Sequence, residues 1–413
     1  MRRVGGLFER ITSFENLLAA ARAAYRGKRF LPAPAEFQHG LEPNLLELQE
    51  ELRSGGYWPG AYHAFWIHDP KRRLISAAPY RDRVVHHAVC RVVEPIFDRT
   101  FIFDSYANRL GKGTHRALAR CTAFCRRWRF VLKCDIEKFF PSVDHEVLLR
   151  LVARKIKCAQ TLELLRRIVA SSNPQEPVVR YFPGDDLFSP FERRRGLPIG
   201  NLTSQFLANV MLNPLDHFVK DHACSPAFRR SWFVVPPSGG LRPVLDEDEE
   251  TRPPEGGATN GAGRPPEGGT TNGAGRPPEG GTTNGYIRFA DDFLVFGDDK
   301  RALAGMREEI GAFLAPYRLS LHPRKCVIMP VRVGVPFLGW RVFPDHRLLR
   351  RSTGVRFQRR LRELAAAFKE GKIGLPDVKA SLASWVGHLK HGDTWGLRRR
   401  LMGQVTFQGP SGW

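Results

Sequence analysis

A pair of adjacent acids between two apolar runs constrains this chain more than any other feature. The segment Tyr286-Ile-Arg-Phe-Ala-Asp-Asp-Phe-Leu-Val-Phe296 places apolar residues on both sides of Asp291 and Asp292. That pattern predicts a β-hairpin that presents two carboxylates at its tip. Two like charges so close raise each other's pKa unless a cation lies between them, so the segment indicates a metal site. An ordinary surface turn with two Asp residues gives the same local pattern.

A third carboxylate ends another apolar strand. The run Phe130-Val-Leu-Lys-Cys-Asp135 is short and apolar, and it stops at the acid. If the fold brings Asp135 to the hairpin, three carboxylates form a ligand set for two Mg²⁺ ions about 3.5–4 Å apart, with Mn²⁺ as an alternative. Acids at the ends of two separate apolar strands are less easily explained as surface turns.

The charge balance indicates a polyanionic partner. Lys and Arg number 64 against 42 acids, which gives a formal net charge of +22. Such an excess is typical of proteins that bind nucleic acid, and it fits general RNA binding as well as an enzyme. The seven Cys residues lack paired C-x-x-C spacing, so we expect free thiols rather than a zinc site, in a reducing cytoplasm. We see no signal peptide and no membrane span in the sequence.

Composition and periodicity divide the chain into five parts. Helical spacing of Leu and Ala predicts helices within residues 14–53, with a loop around Pro32 and Pro34. A long helix is predicted from Thr203 to Val219, kinked at Pro214. The predicted parts are a helical lead-in (1–56), fingers and first part of the palm (57–235), an insert (236–285), second part of the palm (286–350), and a basic helical thumb and tail (351–413).

The insert is a low-complexity segment. Three tandem copies of a Pro- and Gly-rich repeat start at Arg252, Arg264 and Arg276. They hold too little apolar surface to offset the entropy of ordering, so we predict a disordered loop, with a docking segment as the alternative.

Several motifs in order resemble the conserved blocks of reverse transcriptases. They are Asp135-Ile-Glu-Lys-Phe-Phe140, Phe289-Ala-Asp-Asp292 and Phe337-Leu-Gly-Trp340, and the resemblance runs from about Lys71 to Gly403. It implies an α+β right-hand polymerase with fingers, a palm of antiparallel sheet packed on helices, and a small helical thumb. It also implies an RNA-directed DNA polymerase that takes an RNA template, a DNA primer and deoxynucleoside triphosphates.

The resemblance carries roles onto individual positions. The implied metal ligands are Asp135, Ile136, Asp291 and Asp292, of which the three acids are catalytic. The implied nucleotide-binding residues are Lys71, Arg72, Arg73, Phe140, Ile199, Gly200 and Gln205. The implied primer- or template-binding residues are Lys325, Phe337, Leu338, Gly339 and Trp340. Phe140 resembles the aromatic gate that rejects a 2′-hydroxyl, although a core Phe would fit the same position. The three cations at 71–73 could instead face solvent.

The segment Gly196-Leu-Pro-Ile-Gly-Asn-Leu-Thr-Ser-Gln205 is similar to the fourth block of reverse transcriptases from diversity-generating retroelements. In retroviral enzymes the slot of Ile199 holds Gln, and the aliphatic residue is associated with error-prone copying of template adenines. This subtype implies a small basic accessory protein as a partner. Phe289-Ala290 departs from its pattern and looks more like group II intron or retron enzymes.

The sequence leaves three other functional interpretations open. The same polymerase could serve in a retron, an intron-derived lineage or an antiviral defence system. An RNA-copying RNA polymerase shares the palm carboxylates, and Phe140 argues against it. A silent RNA-binding scaffold would have no reason to keep three costly acids.

Overall fold

The computed structural model describes residues 3–68, 72–173, 175–222 and 285–407 of the chain. The predicted insert lies outside these residues except for Gly285, and so does Lys71. The described helices are α1 Phe8–Thr12, α2 Phe14–Tyr25, α3 Pro32–His39, α4 Leu41–Ser54, α5 Tyr80–Asp98, α6 Thr114–Arg127, α7 Phe139–Ser142, α8 His145–Ala153, α9 Ala159–Ala170, α10 Ser189–Glu192, α11 Leu202–His222, α12 Lys300–Leu314, α13 Arg351–Lys369, α14 Leu375–Leu389 and α15 Trp395–Met402.

The described strands form three antiparallel sheets. A two-stranded sheet pairs the first two strands, a four-stranded sheet has the order β4-β5-β3-β6, and a three-stranded sheet has the order β7-β8-β9. The strands are β1 His63–Ile67, β2 Arg73–Ala77, β3 Phe130–Asp135, β4 Gly285–Phe289, β5 Asp292–Gly297, β6 Val327–Pro330, β7 Val335–Phe337, β8 Trp340–Val342 and β9 Arg347–Leu349.

The four-stranded sheet is buried on both faces. Residues Phe293–Phe296 of β5 are all fully buried, and so is Val131 on β3. One large core cluster joins this sheet to the N-terminal helices, α5 and α11, and a second cluster joins it to α6 and the β7–β8 hairpin. A strand covered on both sides reads as a continuous apolar run, which is why the sequence pattern identified β3 and β5.

The N-terminal prediction was right about helices and wrong about the proline segment. Pro32 opens α3 instead of lying in a loop. Proline is tolerated in the first turn of a helix because its missing N–H has no intrahelical acceptor there, so a Pro at this place marks a start and not a break. The long helix α11 begins at Leu202 and contains Pro214, close to the predicted bounds.

The three C-terminal helices form a small bundle with its own core of Phe357, Leu361 and Leu401. Trp385 stacks on Phe357 with ring centroids 3.3 Å apart. Trp395, in contrast, is 68% exposed and lies outside this core. Among the described residues, none of the helices combines the length and apolar character needed to cross a lipid bilayer.

Candidate active site

A two-residue turn places the adjacent acids. β4 and β5 pair so that Phe289 lies opposite Asp292, leaving Ala290 and Asp291 as the turn. Ala290 has φ +56°, in the left-handed region that non-glycine residues rarely occupy. The predicted hairpin therefore exists, with Asp291 at its tip and Asp292 as the first residue of β5.

Asp135 lies directly opposite Asp292 across the β3–β5 ladder. Directly opposed residues on antiparallel strands have Cβ atoms about 4.5–5.5 Å apart and point to the same face. Asp135 is thus a neighbour of the Asp291–Asp292 pair at one edge of the sheet, although more than 150 residues separate them in sequence. Ile136, the next residue, is buried and bridges to Leu321.

The electrostatics of the three acids show that they interact. Burial is the main cause that raises the pKa of Asp291, and the charge of Asp135 raises it further. Burial also raises the pKa of Asp292, with added repulsion from Asp135 and Asp291. Carboxylates in this situation favour any cation that can neutralise them.

Two lysines supply positive charge at this edge. Lys133 Nζ lies 2.5 Å from Asp292 Oδ1, and the ammonium group of Lys325 donates a hydrogen bond to the carboxylate of Asp135. In the part of the chain that the structure describes, no three His, Cys, Asp or Glu side chains form a ready metal-binding group. Carboxylate oxygens are the ligands that a hard divalent cation prefers. Such a cation would have to displace the two lysine ammonium groups from the carboxylates.

Phe140 lies five residues after Asp135, on the short helix α7. Its ring is partly buried and packs edge-on against Phe139, with centroids 5.4 Å apart and planes at 71°. The Phe140 carbonyl accepts a hydrogen bond from Leu197 N at 2.8 Å. This contact joins the predicted gate to the segment 196–205, which holds three of the other residues predicted to bind nucleotide: Ile199, Gly200 and Gln205.

The segment 196–205 is attached to strand β2. Ile199 O accepts a hydrogen bond from Ser76 N at 2.9 Å, and Asn201 Nδ2 donates to Ser76 O at 3.0 Å. Gly200 has φ +120°, and a Cβ there would come within 3.2 Å of Ile75 Cγ2. Gln205 follows in the first turn of α11 and is partly buried.

The two described cations of the 71–73 run have different surroundings. Arg73 opens β2, and its charge acts to lower the pKa of Asp291. Arg72 is exposed, and its guanidinium lies over the Trp66 ring, 4.2 Å from the centroid. Of the two, Arg73 is therefore the one whose charge acts on the acid cluster.

The β7–β8 hairpin turns at Leu338 and Gly339, both with positive φ, as expected for a tight turn between strands. Phe337 and Trp340 are only 1% and 0% exposed, so their side chains support the turn from inside the core. The role of this hairpin in primer or template binding stays a prediction, in which the two buried rings would hold the turn in place and Leu338, Gly339 and the turn backbone would make the contact.

Residues 68–342 match the family model described as reverse transcriptase (RNA-dependent DNA polymerase). The match covers more than half of the chain. This protein belongs to the reverse transcriptase family. It is accordingly an RNA-directed DNA polymerase with the right-hand fold that the sequence predicted, and domains of this family use divalent metals.

This reverse transcriptase is similar to curated proteins of two kinds. It is 26% identical over 368 residues to protein YkfC of Escherichia coli K12, a match that covers 84% of each chain. It is 24% identical over 181 residues to the group II intron-encoded protein LtrA of Lactococcus lactis, covering 43% of this chain and 28% of LtrA. This chain therefore spans less than a third of that intron-encoded relative. Apo telomerase from Candida tropicalis matches with TM-score 0.43 and 9% identity, over 71% of this chain and 49% of that one.

Sequence reasoning missed three side chains in and around the candidate site of this reverse transcriptase. Lys133 lies in an apolar strand, yet it pairs with Asp292. Asn201 bonds to strand β2 through its side chain. Arg288 is fully buried within the β4–β5 hairpin that carries Asp291 and Asp292. An Arg inside an otherwise apolar strand was the one signal in the sequence that could have identified it.

Proposed function

We propose that this reverse transcriptase copies RNA into DNA by two-metal-ion nucleotidyl transfer at Asp135, Asp291 and Asp292. The observation that carries the proposal is the β3–β5 register, which sets Asp135 opposite Asp292 with Asp291 in the adjoining turn. This register brings Asp135 from one segment and the Asp291–Asp292 pair from another to the same edge of the sheet.

The residues of this chain would divide the work as follows. The three carboxylates and the Ile136 carbonyl would hold two Mg²⁺ ions, with Mn²⁺ as an alternative. When bound, such ions lower the pKa of the primer 3′-hydroxyl and neutralise the triphosphate. Before that, Lys133 and Lys325 keep Asp292 and Asp135 neutralised.

The nucleotide would lie between the fingers and the segment 196–205. The charge of Arg73 acts on the acid cluster, and its guanidinium would neutralise triphosphate oxygens, a role that Arg72 and Lys71 would share. Phe140 would pack under the sugar and exclude a 2′-hydroxyl, while Ile199 and Gly200 would line the base and sugar. The backbone hydrogen bonds from Ser76 to Ile199 and from Leu197 to Phe140 support this grouping, because they join all three elements.

We propose the diversity-generating type as the biological setting. The supporting observation is the run from Gly196 to Gln205, with an aliphatic residue at Ile199. A small basic accessory protein, a template-repeat RNA and a cytoplasmic location belong to this proposal. A template repeat near the gene, matching the end of a variable gene, would be the expected genomic context.

An intron-derived or retron reverse transcriptase is the second candidate. It is favoured by Ala290 in the catalytic hairpin and by the similarity to an intron-encoded protein. An intron boundary or a retron RNA gene beside this gene, with no template repeat, would decide for it.

Primer extension on an RNA template tests the enzymatic proposal. Purified protein with Mg²⁺ should extend a DNA primer, and Asp291→Ala should abolish extension. Asp345→Ala is the matched control, because Asp345 is an exposed acid whose side chain is 80% accessible. Extension that survives Asp291→Ala would remove the carboxylate assignment.

A further inference from the structure

A fully buried ion pair lies behind the catalytic hairpin. Arg288 on β4 and Asp216 on α11 are both 0% exposed. Arg288 Nε donates to Asp216 Oδ1 at 2.6 Å, and Nη2 donates to Oδ2 at 2.7 Å. Tyr286 OH donates a further hydrogen bond to Asp216 Oδ1 at 2.8 Å. The pair is therefore bidentate, which fixes the orientation of the guanidinium plane.

The remaining donors of the same guanidinium reach three other residues. Nη1 donates to Ala290 O at 3.0 Å and to Asn209 Oδ1 at 3.1 Å, and Nη2 donates to Ser105 Oγ at 3.0 Å. Ala290 immediately precedes Asp291 and has the left-handed φ of the turn. One side chain thus joins α11, the 105 loop and the turn that presents the catalytic acid.

Burying this ion pair costs free energy, which suggests that the pair has a positional role. Two charges removed from water are often no more stabilising than an apolar pair of the same volume. A left-handed non-glycine residue also persists only where its surroundings hold it in place. The Arg288–Ala290 hydrogen bond acts on the carbonyl of that strained residue, so it restrains the turn at its least favourable point.

Helix α11 extends the connection toward the nucleotide. Asp216 and Asn209 are seven residues apart, and Gln205 lies one further turn back, so the three fall on one helix face. Any tilt of α11 would move the ion pair and the nucleotide-binding end of the helix together.

We propose that Arg288 is a positioning residue, which orients Asp291 by holding the Ala290 carbonyl while anchored on Asp216. The inference rests on the proposed function, in which Asp291 holds a divalent cation. Arg288 itself is buried and acts only through the turn.

Two substitutions separate positioning from folding. Arg288→Lys keeps a positive charge for Asp216 and loses the planar fork that also reaches Ala290 O. Arg288→Met removes the charge as well. Arg109→Met is the matched control, because the Arg109 side chain is only 7% exposed and pairs with Asp98 at 2.6 Å. Its other described hydrogen bonds go to the carbonyls of Asp98, Ile102 and Ser105, so it shares the 105 loop with Arg288 but does not reach the Ala290 carbonyl of the hairpin turn.

Each variant would be measured in three ways. Thermal unfolding reports stability, and primer extension gives kcat and the KM values for deoxynucleotide and for primer–template. The midpoint of the Mn²⁺-induced rise in melting temperature, without nucleotide or nucleic acid, reports metal binding independently of activity.

For Arg288→Lys we expect a melting temperature no lower than that of Arg109→Met and an unchanged KM for primer–template. We expect kcat to fall by about 10- to 100-fold, the scale of a small misplacement of a catalytic group. The Mn²⁺ midpoint should move several-fold to higher concentration in Arg288→Lys, further in Arg288→Met, and not in Arg109→Met.

The inference is overturned if Arg288→Lys, folded, has the wild-type Mn²⁺ midpoint and kcat. It is equally overturned if every loss matches that of Arg109→Met, since the role would then be only structural. Should the wild type itself fail to extend primers, the enzymatic proposal fails, while the Mn²⁺ midpoints still decide whether Arg288 positions Asp291. If Arg288→Met does not fold, Arg288→Lys alone carries the comparison.

Discussion

Asp135 on β3 is the direct cross-strand neighbour of Asp292 on β5, with no residue between them in the ladder. Two acids held this close on adjacent strands repel each other, and Lys133 and Lys325 relieve part of that repulsion. A divalent cation entering the site must compete with these ammonium groups and with protons. Because protons compete with the cation, the affinity of the site for metal should depend on pH.

We predict that divalent cations bind more weakly as pH falls. The folded pKa values of Asp291 and Asp292 are raised above 3.8, so the metal-free folded protein takes up these protons at a higher pH than the unfolded chain does. The associated stability is present at low pH and is lost as pH rises through the raised values. Bound cations reverse this preference, because they require the deprotonated carboxylates.

The measurement is the rise in melting temperature caused by Mn²⁺ between about pH 4 and pH 7. It should grow with pH in the wild type and be small and flat in Asp291→Asn. A wild-type effect independent of pH would contradict the prediction.

Phe140→Ala should admit ribonucleotides. Removing the ring opens the space that would exclude a 2′-hydroxyl, so the ratio of ribonucleotide to deoxynucleotide incorporation should rise by at least about 10-fold, equivalent to roughly 1.4 kcal/mol of discrimination. Phe139→Leu is the control, since Phe139 is 2% exposed and belongs to the core. It should lower stability and leave the ratio alone. An unchanged ratio in Phe140→Ala would assign that ring to the core instead.

Ile199→Gln should reduce errors opposite template adenine. The amide would supply a hydrogen-bonding group where the aliphatic side chain supplies none. The Ile199 carbonyl already bonds to Ser76 N, so the backbone of the segment should not move. Sequencing of products gives the error spectrum, and errors opposite the other template bases serve as the internal control. Equal spectra for the two proteins would exclude a fidelity role.

Gly200→Ala should impair both stability and nucleotide binding. At φ +120° a side chain is strained, and the new Cβ would press on Ile75 of strand β2. We expect a loss of about 1–3 kcal/mol in the free energy of unfolding and a raised KM for deoxynucleotide.

Gly311→Ala is the matched control for that prediction. Gly311 lies in α12, where a Cβ meets nothing within 4 Å. Alanine there should raise stability by about 0.4–1 kcal/mol and leave KM unchanged. If the two alanine variants have the same effect on stability and KM, the contact between Gly200 and strand β2 has no special role.

Local sequence patterns predicted the elements that carry the acids. Continuous apolar runs identified β3 and β5, and the break at the paired acids identified the β4–β5 hairpin, because both signals are read within a few residues. Asp144 carries a signal of the same local kind, since it caps α8 by accepting a hydrogen bond from Val147 N. These features depend on neighbours in sequence, so a single sequence is enough to find them.

Long-range partners could not be predicted in the same way. Arg288 and Asp216 are 72 residues apart, and nothing in the periodicity of either segment indicates that these two residues pair. The β7–β8 hairpin is a second feature that depends on residues distant in sequence. Its aromatic residues Phe337 and Trp340 fit a binding role in sequence, and only the packing of two sheets and a helix shows that they are covered.

The position of the Arg288–Asp216 pair has a consequence for how this gene can change. The chain leaves the palm at the end of α11 and returns at Gly285, and these two ends are already joined by the pair. The sequence predicts that the segment between them is a disordered loop, and doubling or halving the length of such a loop alters its closure free energy by only about 0.6 kcal/mol. Under that prediction, repeat copies can be gained or lost by slippage during replication at little thermodynamic cost to the polymerase core.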